Sequence, residues 1–154
     1  MTARRGFVIA ASALLVLAFA LSVHRRTASS AAVRPRVPGV LNSDVTQATI
    51  GSTICVHGWT ATIRPPVEYT NDLKVKQMRE YGETGSPSDY QEDHLISLEL
   101  GGDPTDPRNL WPEPYPRAAD VDRIENELNA KVCSGKLSLP EGQQQESELK
   151  HTQG

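Results

Sequence analysis

Residues 93–110 read DHLISLELGGDPTDPRNL, and this stretch decides how the rest of the chain is interpreted. It begins with the adjacent pair Asp93 and His94, continues with an apolar pair, reaches Gly-Gly at 101–102 and ends on Asn109 and Leu110. A histidine beside an acid is common by chance, and Gly-Gly alone predicts no more than a hairpin turn. The combination at this spacing is far more specific than any of its parts.

The order Asp-His, apolar pair, Gly-Gly, Asn-Leu and a following helix resembles the pattern of HNH, or His-Me finger, endonucleases. The wider stretch over residues 55–139 is similar to small exported bacterial proteins described as HNH-like. This resemblance implies an α+β fold with a small ββα-metal core, here extended by an N-terminal strand and helix. It also implies a metal-dependent endonuclease that hydrolyses phosphodiester bonds in DNA or RNA.

The resemblance assigns roles to individual positions. His94 matches the general base, Asp93 matches a metal ligand, and Asn109 matches the middle asparagine, whose amide ties the loop together and orients the base. The last ligand of the pattern lies on the following helix, where the usual His or Asn is not evident and Asp122 is the leading candidate. The other candidates on that helix are acids and amides: Asp120, Glu125, Asn126 and Asn129.

These residue types suit phosphodiester hydrolysis. The reaction needs an activated water and a positive charge beside the scissile phosphate. Histidine can take a proton at neutral pH, and a carboxylate is the oxygen ligand that Mg²⁺ prefers. We therefore expect a divalent metal cofactor, Mg²⁺ first with Mn²⁺ or Zn²⁺ as alternatives, and a nucleic acid substrate. On a strand, Asp93 and His94 would point to opposite faces, so we also expect a bend or bulge there.

The N-terminal residues 1–31 have the layout of an export signal. Two arginines precede an uncharged, mainly apolar run of 18 residues over 6–23, and further basic residues follow. That length exceeds a usual signal core and approaches the lower limit for a membrane-spanning helix. The sequence predicts an exported protein, secreted or extracytoplasmic, whose signal peptide is either cleaved or kept as a membrane anchor.

The chain after residue 31 divides into three parts. We expect a linker over 32–44, an HNH-like domain over 45–139 and a polar C-terminal tail over 140–154 that forms a last helix or frays.

The net charge of the domain bears on which function the sequence favours. After residue 36 the chain carries ten basic and nineteen acidic residues, a net charge of −9. An acidic domain repels polyanions and lacks the basic surface of a tight nucleic-acid binder. This charge favours a second function class, an envelope or secreted interaction module that keeps the HNH fold with little or no catalysis. The intact Asp93, His94 and Asn109 favour the nuclease.

Periodicity predicts one strand and two helices around this stretch. Alternating residues over 55–64 indicate a strand, and Thr70 and Gly82 are a suitable N-cap and stop for a helix over 70–81. A second helix is predicted over 118–132. Its inward stripe consists of residues spaced by three and four: Val121, Ile124, Leu128 and Val132.

The remaining reactive side chains allow simpler interpretations. Cys55 and Cys133 are the only cysteines of the chain, and export favours a disulfide between them over two free thiols. The proline-aromatic stretch at 111–115 is expected to pack over the core as a loop, with stacking on bases as the less favoured alternative. His57 and His151 lack partners in the sequence, and no spacing supports a glycosidase-type carboxylate pair.

Overall fold

The structure, a computed structural model, describes residues 39–152, with side chains described as far as Lys150. It is mixed α+β, with four α-helices and a two-stranded antiparallel sheet in that range. The elements are α1 Trp59–Ile63, α2 Val67–Tyr81, β1 Tyr90–His94, β2 Leu110–Pro114, α3 Arg117–Cys133 and α4 Leu139–Thr152. The signal or anchor expected over 1–31 and the first part of the expected linker lie outside the described residues. No helix within 39–152 is both long enough and apolar enough to traverse a bilayer.

The two strands form a hairpin whose connection folds back on itself. Pairing runs without interruption from Tyr90 opposite Pro114 to His94 opposite Leu110. In the loop between the strands, Gly102 lies so close to the backbone that a Cβ atom there would be 1.8 Å from the carbonyl oxygen of Ile96. A residue with a side chain therefore cannot occupy this position without moving the loop.

The helix α3 packs the sheet and the loop against α4. The predicted helix over 118–132 is confirmed with one more residue at each end, and the predicted inward stripe lies on its buried or half-buried face. Burial of this apolar stripe stabilises the helix more than its intrinsic propensity does. One cluster of the core consists of residues from the segment before α1, the loop between the strands, α3 and the start of α4: Val45, Ile54, Ile96, Leu100, Leu128, Val132 and Leu139.

The helix α2 ends where the sequence predicts but begins earlier. Gly82 adopts a left-handed φ of 73° and donates its amide to the Met78 carbonyl, which ends the helix. The prediction of Thr70 as N-cap is wrong, because the helix starts at Val67, directly after Pro66. The Thr70 hydroxyl instead donates to the Val67 carbonyl oxygen at 3.1 Å, inside the first turn.

The strand predicted over 55–64 is also wrong. After Gly58, which has a φ of 80°, the chain forms the short helix α1. Its amides find local acceptors, since Ala61 donates to the Gly58 carbonyl and Arg64 to the Thr60 carbonyl. A strand needs backbone partners from a neighbouring strand, and alternation alone does not supply one.

The C-terminal end of α3 is tied to a distant part of the chain. Cys133, its last residue, forms a disulfide with Cys55, with the two Cα atoms 5.5 Å apart, which confirms the predicted bond. After α3 the chain turns at Gly135 and enters α4, so the last helix forms where the sequence left helix or fraying open. This helix packs against α3 and carries two side chains with no exposed surface, Glu146 and Lys150.

We predict that removing the disulfide lowers the free energy of unfolding. The bond joins residues 78 positions apart, and closing so long a loop in the unfolded chain is worth about 3 to 4 kcal/mol in the chain-entropy model. Replacing both cysteines with serine should therefore reduce the unfolding free energy by that amount in urea titrations. The wild-type protein under a strong reductant should show the same loss. Equal stability of the wild type and the double variant would contradict the prediction.

Candidate functional site

A cleft of about 280 Å³ lies at the end of β1, next to α3. Asp93 and His94 enter it from the last two positions of β1, and Asp122 and Glu125 enter it from α3. The structure thus brings Asp122 to the same cleft as the Asp-His pair, 28 to 29 positions away in the chain. The cleft combines carboxylates with a histidine, the groups that metal-assisted hydrolysis uses.

Three carboxylates form the floor of this cleft. Asp93, Asp122 and Glu125 each offer an oxygen, and these oxygens lie within 4.8 Å of one another. The spacing of three positions between Asp122 and Glu125 places both on one face of α3. Gln91 of β1 donates its amide to Asp122 Oδ1 at 3.2 Å, which holds that carboxylate toward the strand. Such an all-oxygen group could hold a hard divalent cation.

The other candidates on α3 take different positions. Asp120 is exposed and does not line the cleft. Asn129 donates its amide to the Glu99 and Ile54 carbonyl oxygens, at 2.7 and 3.3 Å. It therefore supports the backbone and is engaged away from the carboxylates. Asn126 lines the cleft, but its amide donates to the Asp122 carbonyl within the helix.

His94 is held by a backbone carbonyl. Its Nε2 lies 3.2 Å from the Pro104 carbonyl oxygen. A carbonyl can only accept, so Nε2 carries the hydrogen and Nδ1 keeps its lone pair. Burial lowers the pKa of His94, while the Pro104 carbonyl and the Asp93 carboxylate oppose that shift. This shift favours the neutral imidazole, the form that can accept a proton.

Of the bend or bulge expected at the Asp-His pair, no bulge is present in β1, and the chain bends directly after the pair, at Leu95 and Ile96. The strand pairing is regular through both residues, with Asp93 opposite Trp111 and His94 opposite Leu110. Both side chains nevertheless line the same cleft. This is possible because the cleft lies around the end of the strand, where the chain leaves the sheet after His94.

The Asn109 side chain ties together the loop that holds His94. This residue has no exposed surface. Its Oδ1 accepts from the amides of Val40 and Ile96, at 3.1 and 3.0 Å, and its Nδ2 donates to the carbonyls of Ile96 and Asp103, at 3.0 and 2.9 Å. Asp103 precedes Pro104, the residue whose carbonyl holds the imidazole. Asn109 therefore acts on His94 through the backbone of the loop.

A lysine that the sequence did not single out lies behind the carboxylates. Lys150 Nζ is 2.6 Å from Asp93 Oδ2, 2.5 Å from Glu125 Oε1 and 4.0 Å from Glu146 Oε1, and it also donates to the His94 carbonyl. Burial alone would lower the pKa of Lys150, but the facing carboxylates raise it above its ordinary value. The sequence indicates only one of these contacts. Glu146 and Lys150 are four positions apart, a spacing that lets two side chains pair on a helix.

The two glutamates beside Lys150 respond to the same burial. Burial raises the pKa of Glu125 well above its ordinary value, against the attraction of the ammonium. It raises the pKa of Glu146 to about 7, opposed by Lys150 and by a hydrogen bond from the Ser97 amide at 2.8 Å. Lys150 therefore compensates the cost of burying these carboxylates.

The mouth of the cleft carries one strong cation. Among the described residues that line the cleft, Arg64 is the one Arg or Lys, and it is exposed. Near it, burial raises the pKa of Glu99, opposed by Arg64 and reinforced by Asp122. The entrance thus has a cation that could meet an anionic substrate.

The first part of the proline-aromatic stretch, residues 111–113, packs inward as the sequence favoured, but as part of the strand β2 and not as a loop. Pro114 and Tyr115 are exposed. Trp111 is 2% exposed, so its ring is not available to stack on a base. Tyr115 is 51% exposed and donates its hydroxyl to Gln91 Oε1 at 3.0 Å. His57 lines a different cavity, beside the disulfide.

No protein-family model, curated protein or solved structure matches the chain. Its function therefore has to be inferred from the chemistry of the cleft.

Glu92 generates a prediction about stability and pH. It lies on β1 next to Asp93, and both of its carboxylate oxygens are buried without a hydrogen-bond partner among the described residues. Burial raises the pKa of Glu92 to about 8, opposed by Lys74 and reinforced by Asp93. The native state then keeps a proton that the unfolded chain loses near its ordinary pKa. The free energy of unfolding should therefore fall as the pH rises from about 4.5 to about 8.

Glu92→Gln should remove the part of this fall that Glu92 causes. At pH 8 the variant should be more stable than the wild type by roughly 1 to 3 kcal/mol, and the difference should vanish near pH 4.5. Denaturant unfolding at both pH values, with chelator present, measures the effect. Glu68→Gln, at an exposed position of α2, is the matched control and should follow the wild type. A Glu92→Gln variant that loses stability in parallel with the wild type would rule out this assignment.

Proposed function

We propose that this protein is a metal-dependent endonuclease of the HNH type, which hydrolyses phosphodiester bonds in nucleic acid. The observation that carries the proposal is the arrangement of His94, whose Nε2 is held by a carbonyl in the same cleft as Asp93, Asp122 and Glu125. A general base with one fixed nitrogen beside a group of metal-type ligands is a catalytic arrangement. The order of β1, β2 and α3 around it supports a ββα-metal core.

The donor set fits a hard divalent cation. Asp93, Asp122 and Glu125 would hold it through carboxylate oxygens, and all three line the cleft. Mg²⁺ prefers such ligands, and Mn²⁺ accepts them, whereas zinc sites in proteins are usually built with sulfur or nitrogen ligands. We propose Mg²⁺ as the cofactor, with Mn²⁺ as a substitute and Zn²⁺ as the weaker alternative. A bound cation would supply positive charge beside the scissile phosphate and the leaving oxygen.

Three side chains have the remaining roles in the proposed reaction. His94 Nδ1 takes a proton from the attacking water, since Nε2 is already engaged with Pro104. Asn109 fixes the loop that carries Pro104 and so orients the imidazole. Arg64 at the mouth offers a charge-assisted contact to a substrate phosphate.

We also propose that the protein works outside the cytoplasm. The disulfide between Cys55 and Cys133 supports an oxidising compartment. The apolar run over residues 6–23 supports export, and attachment to a membrane through that run stays a prediction.

The first test of the activity is His94→Ala. Loss of a general base typically lowers the rate by about 10² to 10⁴, so cleavage of plasmid DNA and of RNA with Mg²⁺ should fall by that factor. Metal binding should persist, because the carboxylates remain. His57→Ala removes an exposed histidine outside the cleft and should cut like the wild type.

The decisive comparison is between the full-length wild type and His94→Ala, with Mg²⁺, Mn²⁺ or chelator. If the wild type cuts neither nucleic acid with any metal, or if both proteins cut equally, the nuclease proposal fails. The interaction module with an inactive HNH fold would then be the better explanation, as the acidic charge of the domain also suggests.

The metal ligands are tested by Asp122→Asn. This carboxylate contacts Gln91 and has no ion pair with Lys150 among the described contacts, so the change removes a ligand charge with little effect on the buried cluster. We expect the affinity for Mn²⁺ to fall roughly tenfold or more, measured by calorimetry and by the shift of the melting temperature. Asp120→Asn, at an exposed position two residues earlier, should bind like the wild type. Unchanged affinity of Asp122→Asn would show that Asp122 is not a ligand.

A further inference from the structure

The C-terminal helix places a cation among the candidate metal ligands. Lys150 has no exposed surface, and its ammonium contacts one oxygen each of Asp93 and Glu125, at 2.6 and 2.5 Å. Both residues also belong to the group of three carboxylates that could hold a metal ion. One ammonium on α4 is therefore bound to two of the three candidate ligands.

The contacts of Lys150 explain how these carboxylates can stay together without a metal. Buried carboxylates repel one another and lose their hydration, so they need a cation nearby. Lys150 supplies it to Asp93 and Glu125 directly, and Glu146 lies 4.0 Å from the same nitrogen. The cluster is therefore assembled by the chain itself.

The same ammonium should oppose a second cation. The negative charge of a carboxylate that pairs with Lys150 is already partly compensated. Its other oxygen therefore attracts a metal ion less strongly. Like charges a few ångströms apart in a protein interior also repel strongly enough to change a binding constant by more than about tenfold. Asp122 differs, because its carboxylate accepts a hydrogen bond from the neutral amide of Gln91.

We propose that Lys150 is a resident cation of this site, which holds Asp93 and Glu125 together without metal and competes with a divalent cation for both. The inference rests on the metal site of the proposed function. It adds that the metal affinity is set from α4, outside the ββα arrangement that carries the ligands. Binding of the divalent cation must then weaken the ion pairs between α4 and the rest of the site.

The test measures metal affinity without nucleic acid. Mn²⁺ is titrated into the full-length chain by calorimetry, for the wild type, Lys150→Met and Lys150→Arg. Lys150→Met should bind Mn²⁺ roughly tenfold more tightly or better, and its melting temperature should rise more on addition of the metal than that of the wild type does. Lys150→Arg keeps the charge and should stay near the wild-type affinity.

Lys74→Met is the matched control. Lys74 also lies beside β1, where it donates to the Tyr90 carbonyl, but it does not line the cleft. Its loss should leave the Mn²⁺ affinity unchanged. If Lys150→Met folds only with metal, it is prepared with Mn²⁺, and its affinity is obtained by competition with a chelator of known strength. Such metal-dependent folding supports the proposal.

The outcomes separate this inference from the proposed function. If the wild type binds Mn²⁺ and Lys150→Met binds it no more tightly, Lys150 is not a competitor, while the metal site stands. A merely structural lysine would lower stability without raising the affinity. If the wild type and both Lys150 variants all fail to bind Mn²⁺ or Mg²⁺, the metal site itself is rejected, and the inference with it.

Discussion

A single buried ammonium joins three separate parts of this fold. Lys150 on α4 meets Asp93 on β1 and Glu125 on α3, and Glu146 lies on its own helix one turn earlier. Breaking a buried ion pair by removing one partner costs about 3 to 5 kcal/mol, because the other charge is left without compensation. That cost is a large part of the stability of a small domain. The positions of the Asp93 and Glu125 carboxylates in the cleft and the packing of α4 on the rest of the domain therefore depend on the same ion pairs.

The neutral side chain of Asn109 stabilises the loop between β1 and β2 by hydrogen bonds. Asn109 accepts two backbone amides and donates to two carbonyls, so all of its hydrogen-bonding groups are used. A carboxylate at this position could accept but could not donate to the carbonyls of Ile96 and Asp103. An amide is thus required by the backbone geometry, whatever the chemistry of the site. The orientation of His94 follows from it, since Pro104 continues the same loop.

The sequence predicted those features that depend on local patterns. The apolar spacing predicted α3 within one residue at each end, and the glycine after Tyr81 predicted the end of α2. The strand expected over 55–64 failed because alternation does not show whether a partner strand exists. Lys150 was missed for a related reason: its burial depends on Asp93 and Glu125, which are far away in the chain, and a lysine in a polar helix is ordinarily exposed.

The acidity of the domain constrains how the proposed nuclease would meet its substrate. The charge of −9 after residue 36 repels a polyanion at long range, but salt screens such repulsion beyond about 8 Å at physiological ionic strength. Behind the cleft, Lys150 already offsets part of the negative charge of Asp93 and Glu125, and Arg64 lies at the mouth. Few cations are then available to hold a phosphate backbone, so affinity would be low and depend on the metal. Sequence readout needs many positioned contacts to bases and phosphates. A cleft of this kind is therefore better suited to cutting nucleic acid without sequence preference than to recognising a particular site.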